Sequence, residues 1–211
     1  MDGFKKRLLT LRATLIGAGY ANALIALEFA HQHHTGLRRD GVTPEFDHQI
    51  SIALHALTLP DLIHREETIA AIFLHDTPED YDVSFDELRG IFPCTAFAGL
   101  VVPAVEAMTK TFRGIKKDET ALIAAMAFDP IASIAKPCDR SHNLGTMVGV
   151  FTYEKQVSYC DDVDTKILPM MKGARRRFPH QVQAYENLKH MLKSQVQLIR
   201  AIHAAALPVA A

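Results

Sequence analysis

The chain has 211 residues, 48% of them hydrophobic and 22% charged, with a formal net charge of −1. That length supports one domain with a sizeable core, and the near-neutral charge gives no reason to expect DNA or an acidic membrane as a partner. Tryptophan is absent and aromatic residues make up only 8%, which argues against a platform for stacked bases.

Residues 1–16 are basic and apolar, but Arg12 interrupts the apolar run and Asn22 and Glu28 follow it. The segment is therefore expected to be a lead-in to a first helix and not a targeting peptide. Helical periodicity then predicts segments at about 17–34, 48–59, 65–76, 84–92, 94–109, 118–128, 130–147, 153–177 and 179–205. Between the first two lies a charged, turn-rich stretch, Gly36 to Pro44, which reads as a surface loop. In the third helix Ile69, Ile72, Phe73 and Asp76 fall at i, i+3, i+4 and i+7, so one inward face carries a carboxylate. Pro78 is expected to end that helix. Ser84 and Glu87 form a capping box for the next. Only 111–116 has any strand character, and Asp129-Pro130 opens a late helix. Repeats and linkers are absent. The expectation is one all-α domain over 1–211, with its core at about 17–192 and a C-terminal helix at about 179–205. Cys94, Cys138 and Cys160 are widely spaced and odd in number, which fits reduced thiols in a cytoplasmic protein. No stretch reaches the roughly 20 apolar residues of a membrane span. Homo-oligomerisation stays open.

The inward Asp76 carries the chemistry. A buried carboxylate without a partner neutralises, pairs or ligates a metal, and the adjacent His75 is a good ligand for transition metals. Glu79 and Asp80 lie four residues after His75 and Asp76. They are expected at the mouth of a cleft, serving chemistry and not the fold. A solvated acidic helix end has the same composition, although acids are unfavourable at a helix C-terminus. Downstream, Lys136, Asp139, Arg140 and Asn143 form one polar stripe at i, i+3, i+4 and i+7. Asp139 suits a metal there, and Lys136, Arg140 and Asn143 suit phosphate oxygens. An exposed, salt-bridged face would read the same way. His48 shares a helix face with Ile52 and His55, and Arg38 and Arg39 precede it on the loop, placed to meet an anion or simply to keep the loop soluble. His31, His33 and His34 read as cations at a helix C-terminus.

Four passages together resemble the HD-domain metal-dependent phosphohydrolases, and more closely the (p)ppGpp hydrolase domain of the RelA/SpoT homologues, of the small stand-alone type. They are the basic loop Arg38-Arg39-Asp40-Gly41-Val42-Thr43-Pro44 leading to His48, the run His75-Asp76-Thr77-Pro78-Glu79-Asp80, the segment Val105 to Lys110, and Lys136-Pro137-Cys138-Asp139-Arg140-Ser141-His142-Asn143. The resemblance covers about residues 20–190. It implies an all-α HD-domain helical bundle that uses Mn²⁺ to remove the 3′-pyrophosphate from a nucleotide alarmone. By position, His48, His75, Asp76 and Asp139 would be the metal ligands. Glu79 and Asp80 would act on the attacking water. Arg38 would flank the purine, and Arg39, Lys136 and Asn143 would bind sugar or phosphates. The chain differs from the family pattern in having Glu45 where an aromatic is usual, with Phe46 next to it as a replacement for that ring, Gln49 where proline is usual, and Pro137-Cys138 in place of Leu-Ala. Large members carry a synthetase domain after the hydrolase, for which 211 residues leave no room. Two other readings stay open: another HD phosphohydrolase, such as a nucleotidase or an NADPH phosphatase, and a catalytically silent nucleotide-binding module.

Overall fold

The structure, a computed structural model, describes residues 3–206. It begins with α1 (Gly3–Ala18), α2 (Ala21–His33), α3 (Asp47–Thr58) and α4 (Arg65–Leu74). These are followed by α5 (Thr77–Tyr81), α6 (Phe85–Gly90) and α7 (Thr95–Met108). A short hairpin of β1 (Thr111–Phe112) and β2 (Ile115–Lys116) leads to α8 (Glu119–Phe128) and α9 (Ala132–Thr146). Last come α10 (Tyr153–Asp162), α11 (Leu168–Arg177) and α12 (Val182–Ala206). The architecture is the expected all-α bundle, with the hairpin falling where weak strand character was read. Arg113 and Gly114, both at positive φ, make its turn.

α4 is the hub. Its residues Thr68 to Leu74 are all buried, because the run is apolar around the whole helix. It packs against α2, α3, α7 and α9, and α9 also packs against α3, α8 and α12. The start of α3, the end of α4 and the middle of α9 therefore meet. Among the described residues no single helix is long and apolar enough to cross a membrane.

Four boundaries differ from the sequence expectation. The periodicity predicts a first helix at about 17–34, yet residues 3–18 are a helix of their own. Gly19, at φ 74°, breaks the chain before α2. Leu8, Leu11 and Leu15 form its buried stripe, which the intervening cations hide in a linear reading. Arg7 pairs with Asp47 and donates to Ser51 Oγ at 3.0 Å, docking α1 on α3. Second, Pro78 opens α5 instead of closing α4. Proline is tolerated in a first turn because its missing N–H has no helical partner there. Third, the single helix expected over 153–177 contains a π-helical turn, Val163–Ile167. Pro169 follows it, and the wider turn relieves the clash of its ring with the carbonyl four residues back. Fourth, α9 starts at Ala132, two residues after Pro130, with the Asp129 carboxylate accepting from the amides of Ile131 and Ala132 at 2.8 and 2.7 Å.

Because Leu11 is fully buried, Leu11→Ala should destabilise the protein by about 2–5 kcal/mol. Urea unfolding measures this, and a loss well under 1 kcal/mol would mean that α1 is not docked.

Candidate metal centre

The basic loop is a built structure. Leu37 and Pro44 form a bridge, and Arg38 N–H donates to the Thr43 carbonyl at 2.8 Å. The Asp40 carboxylate accepts from the amides of Val42 and Thr43 at 2.9 Å each. The loop delivers the chain to α3, whose first turn holds His48 in a buried position. His75 and Asp76 lie in the break between α4 and α5, and Asp139 is buried in the middle of α9.

The structure brings all four together. His48 Nε2 is 3.2 Å from Asp139 Oδ1 and 3.7 Å from Asp76 Oδ2. His75 Nε2 is 3.0 Å from Asp76 Oδ1 and 3.8 Å from Asp139 Oδ1. His48, His75 and Asp76 offer ligand atoms that all lie within 4.8 Å of one another. His75 Nδ1 donates to the Ile72 carbonyl at 2.8 Å, so the neutral ring presents its lone pair at Nε2. That atom is buried without a hydrogen-bond partner, and it faces carboxylate oxygens. Such an array needs a cation at its centre. Burial opposes charge on His75, but Asp76 and then Asp139 raise its pKa, so without a metal a proton fills that need. Burial likewise disfavours charge on Asp139, yet Lys136 and the two histidines hold it well below the usual carboxylate range. Two imidazoles and two carboxylates fit a divalent transition metal.

Each of these four side chains is held from outside. The Ile72 carbonyl orients His75. Gln49 Nε2 donates to Asp76 Oδ2 at 3.3 Å. Lys136 Nζ and Asn143 Nδ2 donate to the two oxygens of Asp139 at 2.7 and 2.6 Å. His48 Nδ1 lies 2.8 Å from His142 Nδ1. Lys136 and Asn143 were expected to contact sugar or phosphates. Their observed bonds are to Asp139.

The two acids of α5 differ. Glu79 accepts from the amides of Lys110 and Thr111, the latter at 3.3 Å, and so anchors the start of the hairpin. The expectation that it serves no part of the fold needs correcting. Glu79→Ala should cost about 1 kcal/mol, the value of a modest hydrogen bond, and loosen the hairpin. Amide exchange of Lys110 and Thr111 checks this, and unchanged protection would contradict the anchoring role. The Asp80 carboxylate has no hydrogen-bond partner among the described residues. Burial, then the charges of Asp76, Glu45 and Glu79, raise its pKa to about 6.

The cluster opens into a cavity of about 600 Å³ whose lining includes Asp80, Arg38, Arg39 and Lys136. Arg38 Nη2 reaches Thr146 Oγ1 at 3.5 Å. Arg39 stacks over Phe151, 5.1 Å from the ring centre. Arg140 lies over Tyr159 at 4.2 Å and 3.5 Å from Asp162, with Nε and Nη1 buried and unpartnered. Arg39 and Arg140 thus each lie against an aromatic ring, Arg140 the closer of the two.

Five contributors were missed: His34, Glu45, Gln49, Tyr81 and His142. His34 was read as a helix-end cation. It is buried, and burial pushes its pKa down. Gln49 Nε2 lies 3.3 Å from His34 Nε2, and Tyr81 Oη donates to Glu45 at 2.7 Å. The departures Glu45 and Gln49 were the available signal, and His142 stands one turn after Asp139.

No protein-family profile matches the chain. A guanosine-3′,5′-bis(diphosphate) 3′-pyrophosphohydrolase of Aquifex aeolicus (strain VF5) is 35% identical over 136 residues, 62% of this chain and 18% of that relative. The guanosine-3′,5′-bis(diphosphate) 3′-pyrophosphohydrolase MESH1 of Mus musculus is 30% identical over 136 residues, 61% of this chain and 71% of the relative. The Homo sapiens protein of the same name is 26% identical over 190 residues, 85% of this chain and 98% of the relative. The match thus spans less than a fifth of the bacterial relative and most of the two mammalian ones.

Proposed function

The chain belongs to the guanosine-3′,5′-bis(diphosphate) 3′-pyrophosphohydrolase family, and from that premise we propose that it removes the 3′-pyrophosphate from (p)ppGpp-like or (p)ppApp-like alarmones. The observation that carries this reading is the buried, unpartnered His75 Nε2 facing Asp76 and Asp139, with His48 beside them. His48, His75, Asp76 and Asp139 would hold a divalent transition metal, which we take to be Mn²⁺. When bound, such a metal neutralises charge on the scissile phosphate and lowers the pKa of water.

The chain's own groups supply the rest. Asp80, unpartnered and with a pKa near 6, accepts the proton of the attacking water at its carboxylate. Water attacks the phosphorus attached to the 3′ oxygen and the P–O3′ bond breaks. The 3′ oxygen is expelled and takes up a proton, which the protonated Asp80 can return, so pyrophosphate is released and the nucleoside keeps its 3′ hydroxyl and its 5′ phosphates. Glu79 braces the hairpin beside the site and helps keep Asp80 basic through its charge. Lys136 and Asn143 hold Asp139 in place. Arg38 and Arg39 form a cationic lip for the purine and phosphates, since guanidinium both stacks and forks onto oxyanions. Arg140 would add phosphate contact through its free Nε and Nη1 once Tyr159 moves. The three unpaired cysteines support a cytoplasmic location.

A second reading, another nucleotide phosphohydrolase such as a nucleotidase or an NADPH phosphatase, is favoured by Glu45. It puts a carboxylate in the cavity lining where the family usually has an aromatic ring. One panel separates the two. The metal-loaded protein is given guanine and adenine alarmones, ordinary nucleotides and NADPH, and the products are identified. Pyrophosphate from an alarmone supports the first reading, and orthophosphate from NADPH or a mononucleotide alone supports the second.

A further inference from the structure

Among the partners that hold the four clustered side chains, the neighbour of His48 is itself an imidazole. His142 projects from α9 and His48 from α3. Their Nδ1 atoms are 2.8 Å apart, and the rings meet nearly edge to face, with centroids 4.8 Å apart. One of the two nitrogens must carry the shared hydrogen.

The far side of His48 decides which. Its Nε2 faces Asp139 Oδ1 at 3.2 Å and Asp76 Oδ2 at 3.7 Å. To bind a metal there, Nε2 must present its lone pair, so the proton of the neutral ring has to sit on Nδ1. Among the described residues, His142 Nδ1 is the acceptor within hydrogen-bond distance of that proton. His142 must then be unprotonated at Nδ1 and carry its own proton at Nε2. Resting on the metal-site reading above, we propose that His142 is a positioning residue. It accepts the His48 Nδ1–H and so fixes both the tautomer and the ring orientation that aim His48 Nε2 at the metal. In this role His142 is not itself a ligand, because its Nδ1 is engaged by His48. Partners of this kind raise ligand basicity as well as fixing direction, and losing one typically weakens metal binding by about 10–100-fold.

The test uses Mn²⁺ alone, titrated into the metal-free full chain, with free Mn²⁺ followed by electron paramagnetic resonance. His142→Leu removes the acceptor and should weaken binding by about 10–100-fold. In His142→Asn, Oδ1 falls close to where the ring Nδ1 stood, so affinity should return close to that of the unsubstituted protein. Thermal unfolding of the metal-free forms reports folding separately. Nitrogen-15 NMR of the Zn²⁺-loaded unsubstituted protein should show the His48 proton on Nδ1, and it decides the matter if His142→Leu does not fold. Unchanged affinity in His142→Leu, equal loss in both variants, or His48 protonated at Nε2 would overturn the proposal. A protein that binds Mn²⁺ but hydrolyses no alarmone would fail the functional reading alone. A protein that binds no metal would overturn both.

Discussion

Asp76→Ala should lose metal binding and turnover together while the metal-free protein keeps its fold. Asp76 lies against both histidines of the cluster, at 3.0 Å from His75 Nε2 and 3.7 Å from His48 Nε2, so its removal takes away a contact to each. Removing it leaves His75 Nε2 with Asp139 at 3.8 Å as its nearest charged neighbour. The loss of affinity should exceed the roughly 10–100-fold cost of losing an outer partner, because here the donor atom itself is gone. Asp76→Asn is the companion variant. It keeps the volume and the Gln49 contact site but discards the charge that holds a cation, and it should behave like Asp76→Ala toward metal. Calorimetric titration with Mn²⁺ and circular dichroism of the metal-free forms measure the two halves separately. Full metal occupancy with full activity in Asp76→Ala would remove Asp76 from the ligand set.

Asp80→Asn should bind metal normally and cut turnover by about 10²-fold or more, the usual weight of a positioned acid or base. Its carboxylate has no partner to lose, and unfolding free energy should change by less than about 1 kcal/mol, as for ordinary surface substitutions. The pH dependence has a definite sign. A base works only when ionised, so turnover should fall as pH drops through the Asp80 pKa. That pKa is about 6 without metal, raised by burial and by Asp76, Glu45 and Glu79. A bound cation favours the ionised form and moves it lower, so the acid limb should lie at or below about 6 and vanish in Asp80→Asn. Near-normal turnover in this variant would leave the water without its proposed base.

The burial of Ile69, Ile72 and Phe73 in α4 was legible from their helical spacing, but α4 ends at Leu74, so the half-buried Asp76 reaches the cluster from the break before α5 and not from the inward face of the helix expected over 65–76. The meeting of His48, His75, Asp76 and Asp139 was legible through motif order. Periodicity alone does not fix how α3, α4 and α9 cross. What escaped the sequence depends on such crossings. Glu79 finds its amide partners 31 and 32 residues later on the hairpin, and His142 finds His48 94 residues earlier. Neither pairing leaves a local pattern. Local context also misled at both ends of the spectrum. Lys5, Lys6, Arg7 and Arg12 masked the leucine stripe of α1. His34, beside two other histidines, looked solvated but is buried against Phe46 and Tyr81. Pro78 was sound punctuation, although the chain answers it by starting a helix, whereas Pro169, inside the helix expected over 153–177, is met by a widened turn that the periodicity does not show.

The most direct measurement follows the oxygen of the attacking water. Guanosine 3′,5′-bis(diphosphate) is incubated with the Mn²⁺-loaded protein in ¹⁸O-water, and the products are resolved by mass spectrometry. The expected result is pyrophosphate carrying one ¹⁸O, together with unlabelled guanosine 5′-diphosphate. Label in the 3′ hydroxyl of the nucleoside, release of orthophosphate alone, or no turnover by protein with a full complement of metal would contradict hydrolysis at the 3′ phosphorus.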